Sequence, residues 1–184
     1  SHQNAAKAYD DGFYNDLILP YNNVTKDNNL RADTTVEALA KLKPAFDRKS
    51  GKGTLTAGNS TPLTDGASAV LLGSEEWARE RKLPILGYLA FMQTAAVDYV
   101  KSEGLLMAPA YAVPKLLKQA NLKLQDFEYY EIHEAFAAQT LCTLKAWESA
   151  DFCRDKLGLS SALGAIDRSK MNVKGGSLAL GHPF

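Results

Sequence analysis

Three short apolar runs, interleaved with stretches of helical periodicity, confine this chain to layered α/β architecture. The runs are AVLLGS (69–74), ILGYLAF (85–91) and FEYYEI (127–132). Each is short enough to read as a strand. Between and after them, EEWARERKL (75–83) reads as a charged helix. YAVPKLLKQANL (111–122) places Val113, Leu116, Leu117 and Ala120 at helical spacing, and AFAAQTLCTLKAWESADF (135–152) reads as one long amphipathic helix. Strands alternating with helices bury a sheet between helical layers. Ahead of this block the chain is loop-rich. Residues 2–12 are helical, FYNDLILPY (13–21) is extended and closed by Pro20, and DTTVEALAKLKPAF (33–46) is a short helix with Asp33 or Thr34 as N-cap and Pro44 as its stop. A division between halves falls in TAAVDYVKSEGLL (94–106).

With 184 residues, 46% hydrophobic and 23% charged, the chain has the composition of a soluble globular protein. Lys plus Arg equals Asp plus Glu at 21 each, so no overall basic field exists to hold nucleic acid or an anionic membrane. No run reaches the roughly eighteen apolar residues that a transmembrane helix needs. Cys142 and Cys153 are too few for a disulfide framework and form no C-x-x-C pair, which points to a reducing compartment. Their helical surroundings, without a neighbouring cation or glycine-rich turn, make both structural. The start at Ser1 and the end at Phe184, inside a motif, suggest a slice of a longer protein.

Two motif-like stretches fail on inspection. SGKGT (50–54) lacks the phosphate-loop glycine, since Phe46 stands there, and has Gly53 where Ser or Thr is needed. IHEAFAA (132–138) opens like a zinc helix, but the second histidine is replaced by Ala137, so no metal is expected. What is left is His133 at a strand-to-helix junction, where sites collect in α/β sheets. It serves either a site or the core. Glu134 follows in the first helical turn, where its charge favours the helix dipole. In GGSLALGHPF, Gly175, Gly176 and Gly181 allow close backbone approach, and Pro183 stiffens the chain directly after His182. That arrangement either aims the imidazole or is a glycine-rich turn with an incidental histidine. The strip Ala57 to Ser60, followed by Asp65-Gly66, suits contact with a slender ligand or is a plain loop.

Taken in order, GTLTAGNSTPLTDGASAVLL (53–72), EIHEAFAAQ (131–139) and NVKGGSLALGHPF (172–184) resemble the thiolases, and the resemblance runs from SHQNAAKA through LRADTTVEALAKLKPAF to the last residue. It implies an incomplete thiolase-like α/β/α fold. Residues 1–56 would end the loop region, 57–98 would close the first of two similar halves, and 99–184 would open the second. It also implies an acyltransferase that cleaves 3-ketoacyl-CoA with CoA, through a cysteine thioester, into acetyl-CoA and a shortened acyl-CoA. His182 matches the histidine that activates the nucleophilic thiol and lines the oxyanion site. His133 matches a position often occupied by Asn, and this variant resembles the thiolases of fatty-acid β-oxidation, including the trifunctional-complex β-subunit. Glu134 would orient the site from behind. Ala57, Gly58, Asn59, Ser60 and Thr61 would follow the pantetheine arm of CoA, with Met107 and Phe136 as apolar walls, although Ala108 stands where glycine is common.

Coenzyme A would be a substrate, with no separate cofactor. The expected partners are acyl-CoA and CoA, the remainder of a thiolase chain, further copies of itself and a β-oxidation α-subunit. The compartment would be the cytoplasm of a bacterium or the mitochondrion of a eukaryote. Neither Cys142 nor Cys153 matches the family's two reactive cysteines, whose motifs lie outside residues 1–184, so the chain by itself is expected to be inactive. The competing expectation is a catalytically silent α/β binding or assembly piece.

Overall fold

The computed structural model describes residues 1–184 and contains seven α-helices. They are α1 (His2–Asp10), α2 (Val36–Leu39), α3 (Glu75–Glu80), α4 (Ala108–Ala120), α5 (Ala137–Glu148), α6 (Ala150–Asp155) and α7 (Ser177–Leu180). None is long and apolar enough to cross a membrane.

The core lies between α4 and α5. Leu117, Leu124, Leu144, Trp147 and Ile166 are buried together, with Tyr130, Ile132 and Met171 packed against them. Pro114 sits inside α4 and has no N–H, which frees the carbonyl of Ala110 one turn earlier. The Trp147 indole N–H donates to that carbonyl at 3.4 Å, so the defect in one helix anchors the largest side chain of the other. Asn121 ends α4 in the left-handed conformation, which Asn tolerates better than most residues.

Several sequence expectations change in the structure. The helix at 135–152 is two helices: Ser149 leaves helical geometry, and its hydroxyl accepts from Phe152 N at 3.1 Å to start α6. A serine that bonds its own downstream backbone competes with helix continuation. The helix in 33–46 shrinks to a single turn capped by Thr35, whose side chain accepts from Ala38 N. Residues 13–17 form turns rather than extended chain, because Phe13 N and Ile18 N donate to carbonyls of Ala8 and Tyr14.

The apolar runs 69–74 and 85–91 are unpaired. Backbone pairing is confined to isolated bridges, and neither run takes part in one. A strand is completed by its neighbour's hydrogen bonds, and no part of residues 1–184 lies beside these two segments to supply them. Their apolar side chains are accordingly open, with Leu86 95% exposed. FEYYEI fares differently: Tyr130 forms a parallel bridge with Met171. That single rung carries the chain into the site.

Candidate active site

His133 follows the Tyr130 bridge by three residues, and its backbone neighbours are held on both sides. Ile132 N donates to the Asn172 side-chain oxygen at 2.8 Å, and Glu134 N donates to Ser177 Oγ at 2.8 Å. Past Glu134 the chain switches partner. Thr61 N donates to the Ala135 carbonyl at 3.0 Å, and Ala137 N to the Asn59 carbonyl at 2.9 Å, around an antiparallel bridge between Ser60 and Phe136. The small-residue strip is therefore bonded directly to the chain that carries His133.

His182 arrives from the opposite direction. Gly176 opens α7 and Gly181 closes it, after which His182 pairs in parallel with Leu63 and donates its backbone N–H to Thr64 Oγ1 at 3.1 Å. Thr61 Oγ1 donates to the Ser177 carbonyl at 2.8 Å, tying the strip to α7 as well. The outcome is close contact of the two imidazoles: ring centroids 4.2 Å apart at 78°, edge to face. Phe184 closes the third side, 4.7 Å from the His182 ring and 5.1 Å from that of His133. Residues separated by 49 positions in the chain thus share one apolar-rimmed corner.

Glu134 is 6% exposed. Contrary to the sequence expectation, it does not occupy the first turn of α5, because the backbone from 134 to 137 is committed to Ser177 and the strip. Its carboxylate instead accepts from Leu178 N at 3.3 Å, at the start of α7. A Cβ on Gly176 would stand 2.5 Å from that carboxylate and 2.8 Å from the Asn172 amide nitrogen, so only glycine lets the three groups meet.

The remaining expected ligand contacts divide. Ser60 Oγ and His182 Nδ1 are buried polar atoms without a hydrogen-bond partner. Such atoms are rare in native interiors and collect at sites that take up a further group. Asn59 is occupied otherwise: its side chain accepts from Thr56 N at 2.7 Å and donates to the Thr54 carbonyl at 3.0 Å, which shapes the loop. Gly58 packs under Leu39 and Leu42, while Ala57 is exposed. Phe136 stacks edge to face on Phe46 at 5.6 Å. Met107 belongs to a buried cluster with Ala110 and Ala146 and lies 4.0 Å from Thr143 Oγ1 through its sulfur. Its contacts are thus with the core around α4 and α5. Neither cysteine joins the corner: Cys142 is exposed on α5, and Cys153 is fully buried with its thiol against the carbonyls of Ala146 and Trp147. Thr64, Asn172, Ser177 and Phe184 are the site residues that sequence reasoning passed over.

Partial burial holds the His133 pKa below its ordinary 6.5, and His182 alongside pushes it the same way, against an opposing pull from Glu134. The folded protein therefore keeps this imidazole neutral where the unfolded chain already takes up a proton. His133 contributes stability above pH 6.5 that is lost as pH falls through its lowered folded value. The urea midpoint is expected to drop between pH 7.5 and pH 5.5, and to drop less in His133→Asn, where the group cannot titrate. Equal drops in the two proteins would clear His133 of any part in the acid sensitivity.

Residues 1–76 match the family profile of the thiolase N-terminal domain, and residues 83–184 that of the thiolase C-terminal domain. The chain is 49% identical along its whole length to the 3-ketoacyl-CoA thiolases of Yersinia enterocolitica and of Serratia proteamaculans, and it spans 43% of their length. Among solved structures, the dimeric peroxisomal thiolase of Saccharomyces cerevisiae superposes with a TM-score of 0.78 at 38% identity, over 99% of this chain and 42% of that one. Human mitochondrial 3-ketoacyl-CoA thiolase in complex with CoA superposes with a TM-score of 0.77 at 33% identity, over 99% and 41%.

Proposed function

Because the chain belongs to the thiolase family, we propose that it supplies the histidine side of a 3-ketoacyl-CoA thiolase site, with both reactive thiols coming from outside residues 1–184. The observation that carries this reading is the 4.2 Å contact of His133 with His182 beside the strip at 57–61. In the proposed reaction His182 takes the proton of a cysteine thiol. The thiolate attacks the 3-keto carbon, the bond between C2 and C3 breaks, and acetyl-CoA leaves once the second thiol has protonated C2. The second thiolate takes the proton of the incoming CoA, whose thiolate attacks the enzyme thioester, releasing the shortened acyl-CoA and a cysteine thiolate that recovers its proton from His182.

His182, carrying the proton taken from the thiol, and neutral His133 face the developing oxyanion, where each imidazole N–H is a hydrogen-bond donor. The lowered pKa of His133 supports that neutral role. Glu134 acts behind them by fixing the start of α7. The free Ser60 hydroxyl and the segment 57–61 follow the CoA arm, with Phe136 as an apolar wall. The proposed assembly is a homo-oligomer, and the histidine at 133 favours the β-oxidation type that docks an α-subunit. The proposed compartment follows that pathway, the cytoplasm in a bacterium and the mitochondrion in a eukaryote.

Coexpression with a polypeptide carrying the family's two cysteine motifs, followed by an acetoacetyl-CoA cleavage assay, tests the proposal. Turnover is expected from the assembly and none from the chain alone. A silent but correctly assembled complex would favour the binding or assembly role. Turnover by the chain alone would refute the assignment of the thiol to an outside segment.

A further inference from the structure

We propose that Asn172 is a positioning residue that holds His133 at its working distance from His182, an inference that rests on reading the two histidines as one site. Tyr130 makes both bonds of a regular parallel rung: its N–H donates to the Lys170 carbonyl at 3.0 Å, and its carbonyl accepts from Asn172 N at 2.8 Å. The next rung would pair Ile132 with the backbone at residues 172 and 174. That backbone has gone. Asn172 adopts φ 47, and the chain turns away into the glycine segment.

The Asn172 side chain replaces the missing rung. Its amide oxygen accepts from Ile132 N at 2.8 Å, and its amide nitrogen donates to the Ile132 carbonyl at 2.9 Å. The main-chain carbonyl released by the turn is satisfied elsewhere, by Asn4 Nδ2 at 3.0 Å from α1 and by Gly175 N at 2.9 Å. At 2% exposure the residue has every polar group occupied. It is the one point at which α1, the segment entering His133 and the segment leading to His182 are bonded together.

The chemistry admits little substitution. The rung needs a donor and an acceptor on one short planar group, which excludes Asp, an acceptor only when ionised. The backbone needs a left-handed residue, for which Asn is among the few side chains enriched. Gly176 leaves no room for a longer amide, since its missing Cβ would already lie 2.8 Å from Asn172 Nδ2.

The test uses the chain as it stands, with labelled histidines and three variants. Asn172→Asp keeps the shape and loses the donor. Asn172→Gly keeps the positive φ and loses the rung without adding charge. Tyr130→Phe removes a neighbouring hydrogen bond to the Leu124 carbonyl and leaves the rung intact. In the parent protein and in Tyr130→Phe, the His133 and His182 ring protons are expected to show a mutual nuclear Overhauser effect. Both Asn172 variants are expected to lose it while retaining helical circular dichroism, and the His133 titration midpoint in Asn172→Gly should move up toward its ordinary value. Persistence of the ring contact in both Asn172 variants overturns the proposal. Collapse of the helical signal in both overturns it as well, because Asn172 would then serve the fold at large. The readout needs no thiol and no turnover, so a catalytically silent assembly would leave this result standing.

Discussion

Replacing His182 with alanine, in the chain assembled with a cysteine-bearing thiolase half, is expected to lower thiolysis of acetoacetyl-CoA by about 10²–10⁴-fold at pH 7. An unassisted cysteine with a pKa near 8.5 is only about 3% thiolate at that pH. In the proposed mechanism the imidazole removes this handicap at the moment of attack. In the same mechanism it faces the oxyanion, and one such donor is worth about 10²–10³-fold when removed. The two effects belong to one ring and do not multiply, because the same intermediate is lost either way. The signature of the base role lies in the pH profile: the variant should recover steadily as pH rises toward 8.5 and the thiol ionises without help, whereas the parent enzyme should not depend on that ionisation. Substrate affinity should change little, since the strip at 57–61 and Phe136 are untouched. A loss below about tenfold would remove His182 from the chemistry, and a large loss with no recovery at high pH would assign it to the oxyanion alone.

The two histidines that the fold brings together were legible in the sequence as candidates, and the residues that hold them in place were not. His133 and His182 stand out because glycine, proline and a strand-to-helix junction surround them, signals that act over a few neighbouring residues. Asn172 and Thr64 act across 40 and 118 positions, through hydrogen bonds to Ile132 and to the His182 backbone. Nothing local distinguishes Asn172 from any asparagine before a glycine turn. Met107 shows the same limit from the apolar side, since a methionine that lines a ligand and one that fills a core read alike. Only the packing of α4 on α5 assigns it to the cluster with Ala110 and Ala146. A local side-chain cap did not make a helix start legible by itself: the start of α3 after Ser74 was read, but the cap at Ser149 was read through and Thr35 was passed over for Asp33 or Thr34. Strand character at 69–74 and 85–91 depends on partners, and periodicity alone cannot supply them.

Gly181→Ala is expected to destabilise the protein by about 2–6 kcal/mol, the sum of two separable costs. Gly181 has φ 107 and ψ −179, a region that is almost glycine-only, and placing a side chain there costs about 1–3 kcal/mol. The added Cβ would also lie 2.5 Å from Thr64 Oγ1 and 2.7 Å from Thr64 Cγ2, and overpacking of this kind costs about 1–3 kcal/mol more. Thr64 cannot yield freely, because its hydroxyl accepts the backbone N–H of His182 at 3.1 Å. Any shift that relieves the clash therefore moves the imidazole. Gly104 provides the comparison: it has φ 105 with nothing within 4 Å of an added Cβ, so Gly104→Ala carries only the conformational cost. Urea unfolding of the two variants should differ by the steric part, about 1–3 kcal/mol, with Gly181→Ala the weaker protein. In the assembled enzyme Gly181→Ala should also lose activity while Gly104→Ala keeps it. Equal midpoints would mean that the Thr64 contact relaxes at no cost, and that the glycine before His182 is needed for its backbone angle and not for the close approach of residue 64.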